Sequence, residues 1–104
     1  MTINNIKIPD ERLRNICQKY LVKELAVFGS ALTSDFRNDS DIDLLNIFHD
    51  KAEHSLFSKV RMKEEFEELF GRPVDLISRR AIENNRNLYK RKAILENLKV
   101  IYAA

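Results

Sequence analysis

Apolar positions along this chain recur in two distinct periods. Behind Pro9-Asp10, residues Leu13, Ile16, Cys17, Tyr20 and Leu21 fall at i, i+3, i+4, i+7 and i+8, the stripe of an amphipathic helix. Leu25 to Phe28 is instead a short unbroken apolar run, ended by Gly29-Ser30, which reads as a buried strand and a tight turn. A short helical turn follows at Ala31-Leu32. After the polar stretch Asp35 to Ser40, the segment Ile42 to Phe48 is apolar on both faces apart from Asp43 and Asn46, the pattern of a central strand. His49 to Ala52 is a loop. Met62, Phe66, Leu69 and Phe70 restore the helical period until Gly71 stops it.

Pro73 opens a third strand, Val74 to Ile77, where it removes only one ladder donor. Ser78 is placed to cap a helical turn, and Asn84 to Asn87 form a break. Leu88 to Tyr102 then reads as a last amphipathic helix through Leu88, Ile94, Leu95, Leu98, Ile101 and Tyr102, with Tyr89 and Tyr102 as packing residues. The order helix, strand, strand, helix, strand, helix, helix predicts an α+β fold: a small mixed β-sheet with packed helices, one domain over residues 1–104.

Composition narrows this picture without changing it. Hydrophobic residues make up 44% and charged residues 33%, the balance of a packed globular chain. No apolar run approaches the roughly 20 residues that span a bilayer, and Met-Thr-Ile-Asn-Asn-Ile lacks a secretory pattern, so a reducing cytoplasm and no membrane partner are expected. The lone Cys17 excludes a disulfide framework and sits on a helical stripe, where it serves as a small hydrophobe. A net charge of +2 does not argue for direct nucleic-acid binding. Arg79, Arg80, Arg86, Lys90, Arg91, Lys92 and Lys99 make the C-terminal quarter basic, while Glu64, Glu65, Glu67 and Glu68 cluster before it, both as solvated helix surface. His49 and His54 take loop and helix-start roles, since neither has a partner at metal-ligand spacing.

The chemistry lies in the acidic positions. Asp41 and Asp43 are two apart at the head of the second strand, so both carboxylates share one sheet face. Asp75 interrupts the third strand near its start, and neighbouring strands would bring all three to one end of the sheet. An unpaired carboxylate among Ile42, Leu44, Leu45 and Ile47 needs a metal, a base or an opening to water. Three converging carboxylates suit two hard divalent cations, which take oxygen ligands and leave positions for substrate phosphates. Gly29 lets backbone N–H groups approach a phosphate, and the Ser30 hydroxyl adds a hydrogen bond. Each piece alone has a bland reading: Asp39 and Asp41 can form Asx turns, and a Gly-Ser pair is common. Their joint order along strand, turn, strand and strand is what points to phosphoryl-type transfer.

Phe28-Gly29-Ser30 through Phe36-Arg37-Asn38-Asp39-Ser40-Asp41-Ile42-Asp43-Leu44-Leu45 resembles the signature of the minimal nucleotidyltransferases, of the DNA polymerase beta-like superfamily, which are antitoxins of HEPN-domain toxins. Gly71-Arg72-Pro73-Val74-Asp75-Leu76-Ile77 resembles that family's third-carboxylate strand, and Arg86 to Ala104 its closing helix. The resemblance implies a polymerase beta-like fold and magnesium-dependent transfer of AMP from ATP onto a tyrosine hydroxyl of the partner toxin, whose RNase activity is thereby silenced. It further implies that Asp41 and Asp43 bind two Mg2+ ions, that Asp75 completes the triad and helps deprotonate the acceptor, that Gly29 and Ser30 hold the triphosphate, and that the chain forms a hetero-oligomer with its toxin. One departure stands out: relatives often carry Arg after the Gly-Ser pair, where this chain has Ala31-Leu32-Thr33, and Arg37 is the candidate substitute. Two other functions are compatible with these residues: an antitoxin that only binds its toxin, and a transferase acting on a small molecule or RNA.

Overall fold

The computed structural model describes residues 1–104. It opens with a hairpin of β1 (Thr2–Ile3) and β2 (Ile6–Lys7), whose turn residues Asn4 and Asn5 both have positive φ, at 44° and 73°. That is the backbone of a type I′ turn, and Asn tolerates it better than any residue except Gly. Helix α1 (Asp10–Lys19) follows and buries Leu13, Ile16 and Cys17, as its stripe requires. Cys17 is fully buried, and burial pushes its thiol pKa up to about 12, so it is an inert core side chain.

Strand β3 (Val22–Phe28) is longer than the apolar run that announces it, because Val22 and Glu24 also pair with β4, on either side of an irregularity at Lys23. A 3-10 turn over Gly29–Leu32 leads to the polar loop and then to β4 (Ile42–Phe48). Helix α2 (Leu56–Phe70) is capped at its start by Ser55, whose hydroxyl accepts the Ser58 N–H, and ends at Gly71 with φ +71°. It crosses over to β5 (Val74–Ser78), which runs parallel to β4. A helix between two parallel neighbours is the usual connection, since such strands cannot be joined by a tight hairpin. Ser78 accepts the Ala81 N–H and caps α3 (Arg79–Glu83), as expected from its position.

The closing segment departs from the sequence reading. Leu88 to Tyr102 is not one helix: α4 (Leu88–Glu96) stops at Asn97, and Lys99–Ala103 forms strand β6, antiparallel to β3. Val100, Ile101 and Tyr102 are β-branched or aromatic and gain more by completing a sheet edge than by extending a helix. No residue of α4 is fully buried, and Tyr89 is 89% exposed, so Tyr89 is not a packing residue, whereas Tyr102 packs on the main core.

The resulting sheet is mixed, in the order β5-β4-β3-β6, with β4 internal. One face carries Val22, Leu25, Val27, Ile42, Leu44 and Val74 beneath α1 and α2 and forms the larger core. The other carries Ala26, Phe28 and Leu45 beneath Ile82 of α3, with Ile94 and Leu95 of α4 packed against them. This second layer is thin, and the carboxylates lie on its side of the sheet. No helix is long and apolar enough to cross a membrane.

Candidate active site

Strand register brings the acidic residues together. Asp43 of β4 stands beside Asp75 of β5 in the parallel pair and opposite Phe28 in the antiparallel pair with β3. In-register neighbours lie about 4.8 Å apart across a sheet and point to the same face. Asp41 sits just before β4, two residues from Asp43, and so reaches that same face from the strand entrance. Asp41 and Asp75 are exposed and Asp43 is half-buried. Burial first, then the charges of Asp75 and Asp41, raise the pKa of Asp43 above the ordinary carboxylate value. The shift marks a carboxylate partly withdrawn from water with two further anions near it.

The Gly-Ser turn packs onto this corner. Gly29 has φ +74°, and a Cβ placed there would run into the Asp43 carboxylate, lying 3.2 Å from its Cγ. Only glycine satisfies both the left-handed backbone and the close approach. Ser30 anchors the turn through its carbonyl oxygen, which accepts the N–H and the hydroxyl of Thr33, each at 2.9 Å. The Ser30 hydroxyl takes no part in those bonds. The N-terminal hairpin braces the same turn: Asn4 Nδ2 donates to the Thr33 carbonyl at 2.9 Å.

A further residue shapes the corner and was not singled out by the sequence pattern. One guanidinium nitrogen of Arg72 donates to the carbonyls of Arg37 and Ser40, both at 3.0 Å, while the guanidinium lies 4.3 Å from the centre of the Phe36 ring. Arg72 therefore ties the loop that ends in Asp41 to the strand that carries Asp75. Its signal in the sequence is its place in the Gly71 to Ile77 run, immediately before Pro73 at the entrance of that strand. Arg37 lies in the anchored loop, its N–H bound by the Ser40 hydroxyl at 2.9 Å, with its side chain exposed. His54 is engaged elsewhere, with Nδ1 2.8 Å from the Ser58 hydroxyl and Nε2 2.7 Å from the Tyr20 carbonyl oxygen.

The donor set fits a hard divalent cation. All three side chains offer oxygen, and a dication would offset both the burial and the neighbouring negative charge that raise the Asp43 pKa. No three acidic, histidine or cysteine side chains draw close enough to enclose a metal by themselves. Magnesium is ordinarily held by one or two carboxylates with water and substrate phosphates completing its shell, so an open corner matches a metal that arrives with a nucleotide.

Comparison with known proteins places this geometry in a family. A model described as the nucleotidyltransferase domain matches residues 10–101. A Methanocaldococcus jannaschii protein, provisionally assigned as a protein adenylyltransferase, is 33% identical over 98 residues, covering 93% of this chain and 95% of that protein. Two solved structures share the fold. One, described as a toxin–antitoxin with AMP-PNP, has a TM-score of 0.66 at 11% identity over 93% of this chain and 75% of that one. The other, a tri-AMPylated HEPN toxin in complex with an MNT antitoxin from Shewanella oneidensis, has a TM-score of 0.57 at 10% identity over 91% of this chain and 70% of that one. The chain that sets Asp43 and Asp75 side by side under a Gly-Ser turn belongs to the nucleotidyltransferase domain family and is a nucleotidyltransferase.

Proposed function

We propose that this chain is the antitoxin of a HEPN toxin–antitoxin pair and transfers AMP from ATP to a tyrosine hydroxyl of the toxin, silencing its RNase activity. The observation that carries the reading is the packing of Gly29 against Asp43 with Asp75 in register beside it, since a phosphate held at the turn lies next to the carboxylates. The name of the Methanocaldococcus relative and the AMPylated toxin in the Shewanella complex support the choice of a protein acceptor.

In this mechanism Gly29 and Ser30 hold the triphosphate, Gly29 through its backbone and Ser30 through its hydroxyl. Asp41 and Asp43 hold magnesium, with Asp75 completing the set. The ions, when bound, neutralise phosphate charge and favour ionisation of the acceptor hydroxyl. Asp75, exposed at the strand entrance, accepts the acceptor's proton. The tyrosine oxygen bonds to the α-phosphorus as the bond from that phosphorus to the pyrophosphate oxygen breaks, and pyrophosphate leaves. Little of this chain covers the corner, so the toxin itself is the natural source of the acceptor and of the missing wall.

The test is protection. Co-expression of the chain with its cognate toxin should restore growth and suppress the toxin's RNase activity, and Asp41→Asn/Asp43→Asn, folded but unable to hold the metal, should fail to do so. Full protection by that double variant would replace catalysis with simple binding of the toxin.

A further inference from the structure

On the opposite face of β4 lies a second feature that the transfer reaction does not use. Asn46 is paired with Leu25 of β3 and Ser78 of β5, three residues beyond Asp43, so its side chain emerges on the α2 side of the sheet. It is 2% exposed and the one fully buried polar residue of the chain. Its amide nitrogen has no hydrogen-bond partner. Buried side-chain amides are nearly always paired, because an unpaired one forfeits its hydration and receives nothing in return.

Asn46 lines a cleft of about 380 Å³ between α2 and the edge strand β5. The walls are mainly apolar, with Phe48 and Leu76 among them, while Lys59 and Lys63 bring two cations and no carboxylate lines the space. Neither lysine forms an ion pair within the chain. A concave apolar space of this size holding one unpaired polar group is the usual make-up of a small-molecule site. The unpaired amide calls for a hydrogen-bonding partner, and the two lysines set the sign of the ligand's charge.

We propose that this cleft binds a small organic anion, with an apolar or aromatic body in the cavity, an oxygen acceptor on the Asn46 amide and a carboxylate at Lys59 and Lys63. The site is independent of the proposed transfer reaction, since it faces away from Asp41, Asp43 and Asp75. It offers the chain a place to sense a metabolite of that class from behind the catalytic strand.

The probe is 4-acetylbenzoate, which carries a ketone oxygen and a carboxylate at opposite ends of a ring, titrated into the 15N-labelled chain without nucleotide or metal. Amide resonances of Asn46, Leu76, Ser78 and Lys59 should shift together and saturate. Affinity should fall about tenfold or more for 4-ethylbenzoate, which lacks the acceptor, and in Lys59→Ala/Lys63→Ala, which lacks the cations. Asn46→Leu should abolish binding while raising the melting temperature, because it removes an unpaired buried amide at similar volume. The ligand analogue and the surface double variant carry the test even if Asn46→Leu fails to fold. An unchanged spectrum at about 10 mM probe overturns the proposal, as do shifts that survive both losses.

Discussion

At the scale of single residues, the corner depends on Gly29 and Asp43 being in contact. Gly29→Ala places a methyl group where the Asp43 carboxylate stands and asks alanine to hold φ +74°. The backbone alone costs about 1–2 kcal/mol, and the carboxylate must move as well. The variant is therefore expected to lose about 100-fold or more in nucleotidyl transfer while its melting temperature falls by only about 5–10 °C, as read by steady-state kinetics and calorimetry. Asp43 itself carries a stability penalty. Burial and its two acidic neighbours raise its pKa, so the folded chain binds this proton more tightly than the unfolded chain does. Its contribution to stability is complete below the ordinary carboxylate range and is lost as pH rises through the raised folded-state value. Asp43→Asn should raise the melting temperature of the metal-free protein at neutral pH by about 2–5 °C, most of the charge being screened by water, and should flatten the fall of stability as pH rises above the ordinary carboxylate range.

At the scale of elements, the loop before β4 and the entrance of β5 are held as one piece by Arg72. Arg72→Ala removes two hydrogen bonds to loop carbonyls and the stacking on Phe36, and should lower kcat about tenfold with KM for ATP changed less than threefold. Arg72→Lys should not restore kcat, because an ammonium cannot both stack and reach two carbonyls in a plane. The C-terminal strand gives a sharper contrast. Were Leu88 to Tyr102 one amphipathic helix, Tyr89 and Tyr102 would both pack. In the sheet, Tyr102 opposes Leu25 and Tyr89 is solvent-exposed. Tyr102→Ala should cost about 2–3 kcal/mol in urea unfolding, and Tyr89→Ala no more than about 0.5 kcal/mol.

At the scale of the whole molecule, what could be read from the chain was what a period or a spacing records. The stripe from Leu13 to Tyr20, the caps at Ser78 and Gly71, and the internal position of Ile42 to Phe48 all follow from local rules, and the fold bears them out; Leu21, the last position of the expected stripe, instead lies past the helix end with φ 55° and is 44% exposed. Asp43 and Asp75 could be expected at one sheet end because each interrupts an apolar strand, and the parallel register sets them side by side. The hairpin around Asn4-Asn5 had a local signal, two turn-forming residues between Ile3 and Ile6, too short to stand out. Strand β6 had none that outweighed its helical spacing, since its preference is set by the open edge of β3, a feature of the folded sheet and not of the segment. The bracing role of Arg72 was illegible for the same reason: its partners, Arg37 and Ser40, are more than thirty positions away and meet it only in the assembled corner.

The assembled molecule covers one sheet face well and leaves the carboxylate end of the other open, where the proposed reaction would admit an acceptor carried by another chain. The most direct measurement is transfer itself: cognate toxin incubated with this chain, magnesium and ATP labelled at the α-phosphate, followed by intact-mass analysis and peptide mapping. The toxin should gain label and the mass of AMP at a tyrosine, and both should vanish with Asp43→Asn or Asp75→Asn. A toxin that stays unlabelled with the wild-type chain, or is labelled equally by the Asn variants, would contradict the assignment of Asp41, Asp43 and Asp75 as the catalytic centre.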